Sequence, residues 1–226
     1  MARKVRRGVS SCARVFRGAP RISSEGGGMM IRRVLAIAVL ALLASGCATS
    51  PKEEIPWGIK IVAPEHYDIW GINMFLEKTG ERSWRAPVGY VSCCWKGPRG
   101  PSGSRHRLDP FPELILIHWF SFAEQKYYAK VIKVPPDLQD RMREPATYKT
   151  QVDVRSGPRH TMAVGLAPGG TVVVWIMNQI GNEVEVMRMQ ASEGPGDPED
   201  FEVGTRNYLE KHGDYLEEHG IPLEGW

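Results

Sequence analysis

The residues of this chain that could do chemistry are few and scattered. Cys93 and Cys94 are adjacent, and neighbours in an extended strand point to opposite faces, so a bond between them needs a distorted backbone. Inert packing thiols, a vicinal disulfide and a metal or redox role are all open readings, and two buried thiols strain the backbone least. A redox dithiol carries two residues between its sulfurs, and a zinc site needs further Cys or His at matched spacing. Neither pattern is present. Of the six histidines, His212 and His219 fall on one helical stretch, but two turns, about 10.5 Å, is too far for one metal ion. His118 lies in an apolar run and reads as a core histidine. His66, His106 and His160 fall in loops or at a strand edge, with no carboxylate at a metal-binding offset. No metal and no cofactor is expected.

A nucleophile is equally hard to assemble. The chain has no Gly-x-Ser-x-Gly elbow, and Ser121, which follows Trp119-Phe120, reads with Glu124 as a turn or cap. Pro168-Gly169-Gly170 is not a phosphate loop, because no Lys-Ser or Lys-Thr follows and the next segment is a strand. Pro fixes one turn dihedral there and Gly permits positive φ, so these three residues read as a structural hairpin turn between strands at His160–Leu166 and Thr171–Met177. The remaining hint is aromatic. Trp70, Trp84, Trp95, Trp119 and Trp175 fall in or beside strands, and any ring left exposed would suit recognition of a protein or glycan.

The elements that must position these residues are mainly strands. Runs rich in apolar, β-branched and aromatic residues, most of them about five to nine long, are bounded by Gly, Pro and Asp: Trp57–Val62, Tyr67–Phe75, the longer Trp84–Trp95, Leu114–Phe120, Tyr127–Val134 and Val184–Met189, besides the hairpin. Leu114–Phe120 is nearly all apolar, which suits a strand buried on both faces. Pro136–Met142 predicts a short helix. Phe201–Glu218, with Tyr208, Leu209, Tyr215 and Leu216 at helical spacing, predicts a C-terminal helix closed by Gly220 and Pro222. The expected fold is mainly β, of the α+β kind: an antiparallel sheet or β-sandwich of about seven to eight strands with one short and one C-terminal helix.

Ahead of this domain lies a leader. Arg32 and Arg33 precede the unbroken apolar run Val34–Leu43, and Ala44, Ser45 and Gly46 follow it. This is the order of a signal peptide, and its apolar run is far short of the ~20 residues a spanning helix needs. Leu43-Ala44-Ser45-Gly46-Cys47 resembles the bacterial lipobox, which implies cleavage before Cys47 and acylation of that residue. Ala48, rather than Asp, after the cysteine implies sorting to the outer membrane. The expected organisation is 1–28 as upstream mistranslation, because the signal peptide should begin at Met29 or Met30, then 29–46 as signal peptide, 47–56 as lipidated tether and 57–226 as one periplasm-facing domain. Nine of the 29 Lys and Arg but one of the 26 acids precede Cys47. The remainder is therefore acidic, which argues against nucleic acid as a partner.

Four segments together resemble an uncharacterised family of proteobacterial lipoproteins, domain-of-unknown-function family 2931. They are His118-Trp119-Phe120-Ser121 with Glu124 and Tyr127, Val164 to Gly170 with Val174-Trp175, Tyr208-Leu209-Glu210-Lys211-His212-Gly213, and Gly220-Ile221-Pro222 before Trp226. The family implies no catalytic residues. One idea attached to such lipoproteins is protection against toxins delivered into the periplasm, an analogy at the level of location. The functional expectation is a noncatalytic envelope lipoprotein, membrane-bound through Cys47, that binds a protein or glycan partner, with toxin immunity as one specialisation. The alternative is a periplasmic hydrolase whose site assembles only in the fold, for which a deep pocket joining His118 or His160 to several acids would speak.

Overall fold

The computed structural model describes residues 55–92 and 105–226. Cys47, the leader and the Cys93-Cys94 pair lie outside the described residues. Strands dominate, in three sheets. Five strands form the first: β1 (Gly58–Val62), β5 (Arg105–Arg107), β10 (Thr161–Ala167), β11 (Thr171–Met177) and β12 (Val184–Gln190), in the order β12-β11-β10-β1-β5. The second has the order β13-β7-β6-β2-β3, built from β2 (Ile69–Lys78), β3 (Arg82–Ala86), β6 (Leu114–Ser121), β7 (Lys126–Lys133) and β13 (Ser192–Gly194), with β4 (Gly89–Val91) also paired to β2. A hairpin of β8 (Pro145–Lys149) and β9 (Val154–Pro158) makes the third. The helices are α1 (Leu138–Arg143) and α2 (Glu202–His219). Among the described residues no helix is long and apolar enough to cross a membrane.

The two large sheets face each other across one apolar core, to which alternate residues of both contribute: Ile59, Ile61, Met162, Val164, Val172 and Val174 from one, Met74, Leu76, Ile115, Ile117, Trp119 and Ile132 from the other. This is the sandwich solution, in which each sheet buries its apolar face on its partner. All pairs are antiparallel except β1 with β10, which run parallel. Ala163, Val173, Trp175, Met177 and Val62 form a second apolar cluster, so β10 and β11 are apolar at nearly every position, as strands buried on both faces must be.

Two local expectations change. Trp84–Trp95 is not one strand: Pro87 lacks an N–H, Gly89 sits at φ 72°, and the chain breaks there into β3 and β4, which pair with opposite ends of β2. Nor is β6 buried on both faces throughout, since Leu116 is 38% exposed. Its second face is covered only toward Trp119–Ser121, where Phe120 joins a separate aromatic cluster with Tyr67, Phe122, Tyr127 and Tyr208. Tyr208 comes from α2, and this cluster is what docks the helix on the outer face of the six-stranded sheet.

Candidate functional site

The docking of α2 leaves a cleft beside its first turn. Trp70 of β2 lies directly across from Tyr90 of β4 on one side and Phe120 of β6 on the other, so the three residues share the sheet's outer face. Helix α2 is led in by a turn over Pro198–Phe201, in which the Asp197 side chain accepts a hydrogen bond from the Glu199 N–H at 3.0 Å, a capping arrangement that fixes where the turn starts. Phe201 then stacks on Phe120, with centroids 4.7 Å apart, and comes within 6.1 Å of Trp70. Gly204 lets the helix approach, since a Cβ there would meet the Phe122 ring at 3.0 Å. The resulting cleft holds about 560 Å³, with Trp70, Tyr90 and Phe122 on its sheet side and Glu199, Asp200, Glu202 and Asn207 on its helix side. That volume is in the range of small-ligand and side-chain sites. Trp70 and Tyr90 are 39% and 46% exposed.

Behind Tyr90 lies a buried polar network. Its hydroxyl donates to Oδ2 of Asp68, a carboxylate only 1% exposed. Nε2 of His212 lies 3.4 Å from the same oxygen, close enough for electrostatic attraction but without hydrogen-bond geometry; Nε2 and the other carboxylate oxygen, Asp68 Oδ1, each lack a hydrogen-bond partner. On its other edge His212 meets His66, Nδ1 to Nδ1, at 3.3 Å. His66 holds a left-handed φ of 70°, stacks on Tyr215 at 3.8 Å and offers its carbonyl to the Tyr208 hydroxyl at 2.7 Å. Burial pushes the His212 imidazole down, against the opposing pull of Asp68. The Tyr90 hydroxyl is pushed up, by burial first and by Asp68 second. Both shifts favour neutral forms, the expected answer when polar groups leave water.

Residues of this kind could move a proton, but Asp68 and His212 are buried and His66 is half-buried. His212 is 8% exposed, and neither Asp68, His212 nor His66 lines the cleft. The network ties the loop before β2 to α2 and sets Tyr90 from behind.

The residues singled out from the sequence lie elsewhere. Pro168, Gly169 and Gly170 form the turn joining β10 to β11, with Gly169 and Gly170 at φ 71° and 74°. Glu124 clasps that turn, accepting from the Gly169 N–H at 2.9 Å and from the Tyr128 hydroxyl at 2.8 Å. His118 neighbours Tyr127, and His160 bonds to Thr161. Neither lines the cleft. Among the described residues, no group of three His, Cys, Asp or Glu could hold a metal ion. Sequence reasoning missed Asp68, Tyr90 and the His66–His212 contact. The available signal was an acid inside an apolar run, Tyr67-Asp68-Ile69-Trp70, which demands a buried partner.

No curated protein and no solved structure matches the chain. One protein family, described as protein of unknown function (DUF2931), matches residues 45–224, which takes in β1 through α2 and so the whole cleft. The chain therefore belongs to the DUF2931 family.

Proposed function

We propose that this chain is a noncatalytic, lipid-anchored protein of the bacterial envelope, held at the outer membrane through Cys47, and that the cleft beside α2 is where it takes its partner. The observation that carries the reading is the pair Trp70 and Tyr90, cross-strand neighbours left open to solvent in a cleft between the sheet and the first turn of α2. Large rigid rings of this kind give much contact area at little conformational cost, and they concentrate at recognition sites. The anchor reading rests on the basic, apolar and small-residue order before Cys47.

The experiment is crosslinking capture from intact envelopes with the full lipoprotein. A specific partner recovered by the native protein should be lost with Trp70→Ala, while the thermal melt of the variant stays close to the parent. Equal recovery by both proteins would remove the cleft from consideration.

The hydrolase alternative has one observation in its favour, the Asp68–His212–His66 contact behind Tyr90. A hydrolase would need that network to reach substrate. Asp68→Asn would then abolish turnover of an envelope polymer without weakening its binding.

A further inference from the structure

The two sides of the cleft differ in chemistry. Three carboxylates, Glu199, Asp200 and Glu202, stand on the helix side, and no Lys or Arg is among the described residues that line it. All three acids are exposed or nearly so. Among the described residues Glu202 has one cationic neighbour, Arg206 at 3.6 Å with both side chains mostly in solvent, and such a pair is weak and easily exchanged. Asp200 accepts from the Tyr127 hydroxyl at 3.3 Å, which leaves its charge uncompensated. Acids in a first helical turn do have a reason within the fold, the positive end of the helix dipole. That reason does not account for two aromatic rings left open opposite them.

A second recess on the other flank of the same turn shares Glu199 and Glu202 and adds Arg206 and Glu210. Thr205 lines it, 7% exposed, with a hydroxyl that finds no hydrogen-bond partner. Leaving a buried hydroxyl unpaired costs free energy.

An aromatic floor under a carboxylate rim is the environment a guanidinium or ammonium requires. The rings attract the cation through their quadrupole, and the carboxylates accept its N–H bonds. Arg gains more than Lys, because its planar group both stacks and forks onto a carboxylate. An uncharged sugar would use the rings but has no need of three acids. The acidic excess after Cys47 steers a basic partner in the same direction. We propose that the cleft binds arginine and lysine side chains presented by a basic segment of a partner protein. This deepens the reading of the cleft as the recognition site and rests on it.

The test titrates the full acylated lipoprotein, in detergent, with hexa-arginine, hexa-lysine, an uncharged Gly-Ser hexapeptide and chitotetraose, following Trp fluorescence and heat. Hexa-arginine should bind best, hexa-lysine less well, and the other two not at all. Its affinity should fall about tenfold with Trp70→Ala, the scale of one partly shielded cation–π contact. It should fall at least as far with Glu199→Gln/Asp200→Asn/Glu202→Gln, and it should weaken as salt rises and screens the carboxylates. Neutralising Asp214, Glu217 and Glu218, exposed farther along α2, should change little. An equal loss from that control triple would reduce the effect to bulk charge and overturn the proposal, as would binding of chitotetraose in preference to hexa-arginine. Capture from envelopes separates the two levels. If Trp70→Ala loses the partner and the carboxylate triple keeps it, the cleft stands and its cationic occupant falls; if both keep it, the cleft itself falls.

Discussion

At the scale of single residues, the sharpest consequence concerns His212. Burial holds its imidazole below the ordinary 6.5, so the unfolded chain binds a proton that the folded chain resists. Its contribution to stability is therefore intact above about pH 6.5 and is lost as pH falls toward the depressed folded value. His118 and His160 are lowered in the same way, again chiefly by burial. The melting temperature should drop between pH 7 and pH 5. His212→Gln, though less stable at pH 7 because it leaves His66 and Asp68 unmatched, should show a shallower drop across that interval. Parallel decline in both proteins, followed by thermal melts, would locate the acid sensitivity elsewhere. Tyr208 offers a second residue-level measurement. Tyr208→Phe removes only the bond to the His66 carbonyl and should cost about 1 kcal/mol, whereas Tyr208→Ala also empties a buried aromatic site and should cost about 3–5 kcal/mol, as read by denaturant unfolding.

At the scale of elements, the β10–β11 hairpin and helix α2 illustrate two kinds of constraint. The hairpin is local. Its turn needs left-handed backbone at Gly169 and Gly170, and space is short around it: a Cβ at Gly169 would lie 2.1 Å from the Leu223 carbonyl oxygen, and one at Gly170 2.9 Å from the Tyr128 ring. Gly170→Val should therefore lower stability by about 1–3 kcal/mol without selectively removing partner capture. A variant that kept its melting temperature but lost its partner would make the turn part of the recognition surface. Helix α2 is nonlocal. It buries only Thr205, Tyr208 and His212, a narrow stripe for a helix of this length, and its place is set by Phe201 stacking on Phe120 and by the contacts of His212 with Asp68, in the loop before β2, which Tyr90 of β4 in turn holds. Phe201→Ala should loosen its first turn, and with it the cleft, before the sandwich core unfolds. Hydrogen exchange should show faster amides over 199–205 with those of β10 and β11 unchanged.

At the scale of the whole molecule, a sandwich with one helix on its outer face would reach its partner from the end of a short tether. Multiple acyl chains on Cys47 would each bury methylenes at about 0.8 kcal/mol apiece, enough to hold the protein at the bilayer where one chain is marginal. Intact mass of membrane-extracted protein should show an acylated N-terminal cysteine, and Cys47→Ser should release the protein to the soluble periplasmic fraction. Unchanged membrane attachment of Cys47→Ser, or recovery of residues 1–28 in the mature species, would overturn the anchor or the start site respectively.

Periodicity and turn chemistry, both local properties, determined the strand-rich class, the hairpin through Pro168-Gly169-Gly170, the short helix α1 and the bounds of α2 to within a residue or so. They determined these because a pleated strand alternates its faces and a helix repeats every few residues, whatever lies beyond them. The sequence alone did not disclose the parallel pairing of β1 with β10, the division of Trp84–Trp95 into two strands on opposite ends of β2, or the small elements β5, β8, β9 and β13. The β8–β9 hairpin, though local, lacks the apolar alternation that marks a strand, and most of the others depend on which distant segment supplies the hydrogen-bond partners. The cleft was hidden for the same reason. Trp70, Tyr90 and Phe201 come from three elements widely separated in the chain, and Asp68 meets a histidine more than a hundred residues away. Their exposure or burial is set by where α2 ends on the sheet, and only the tertiary packing of aromatic rings decides that.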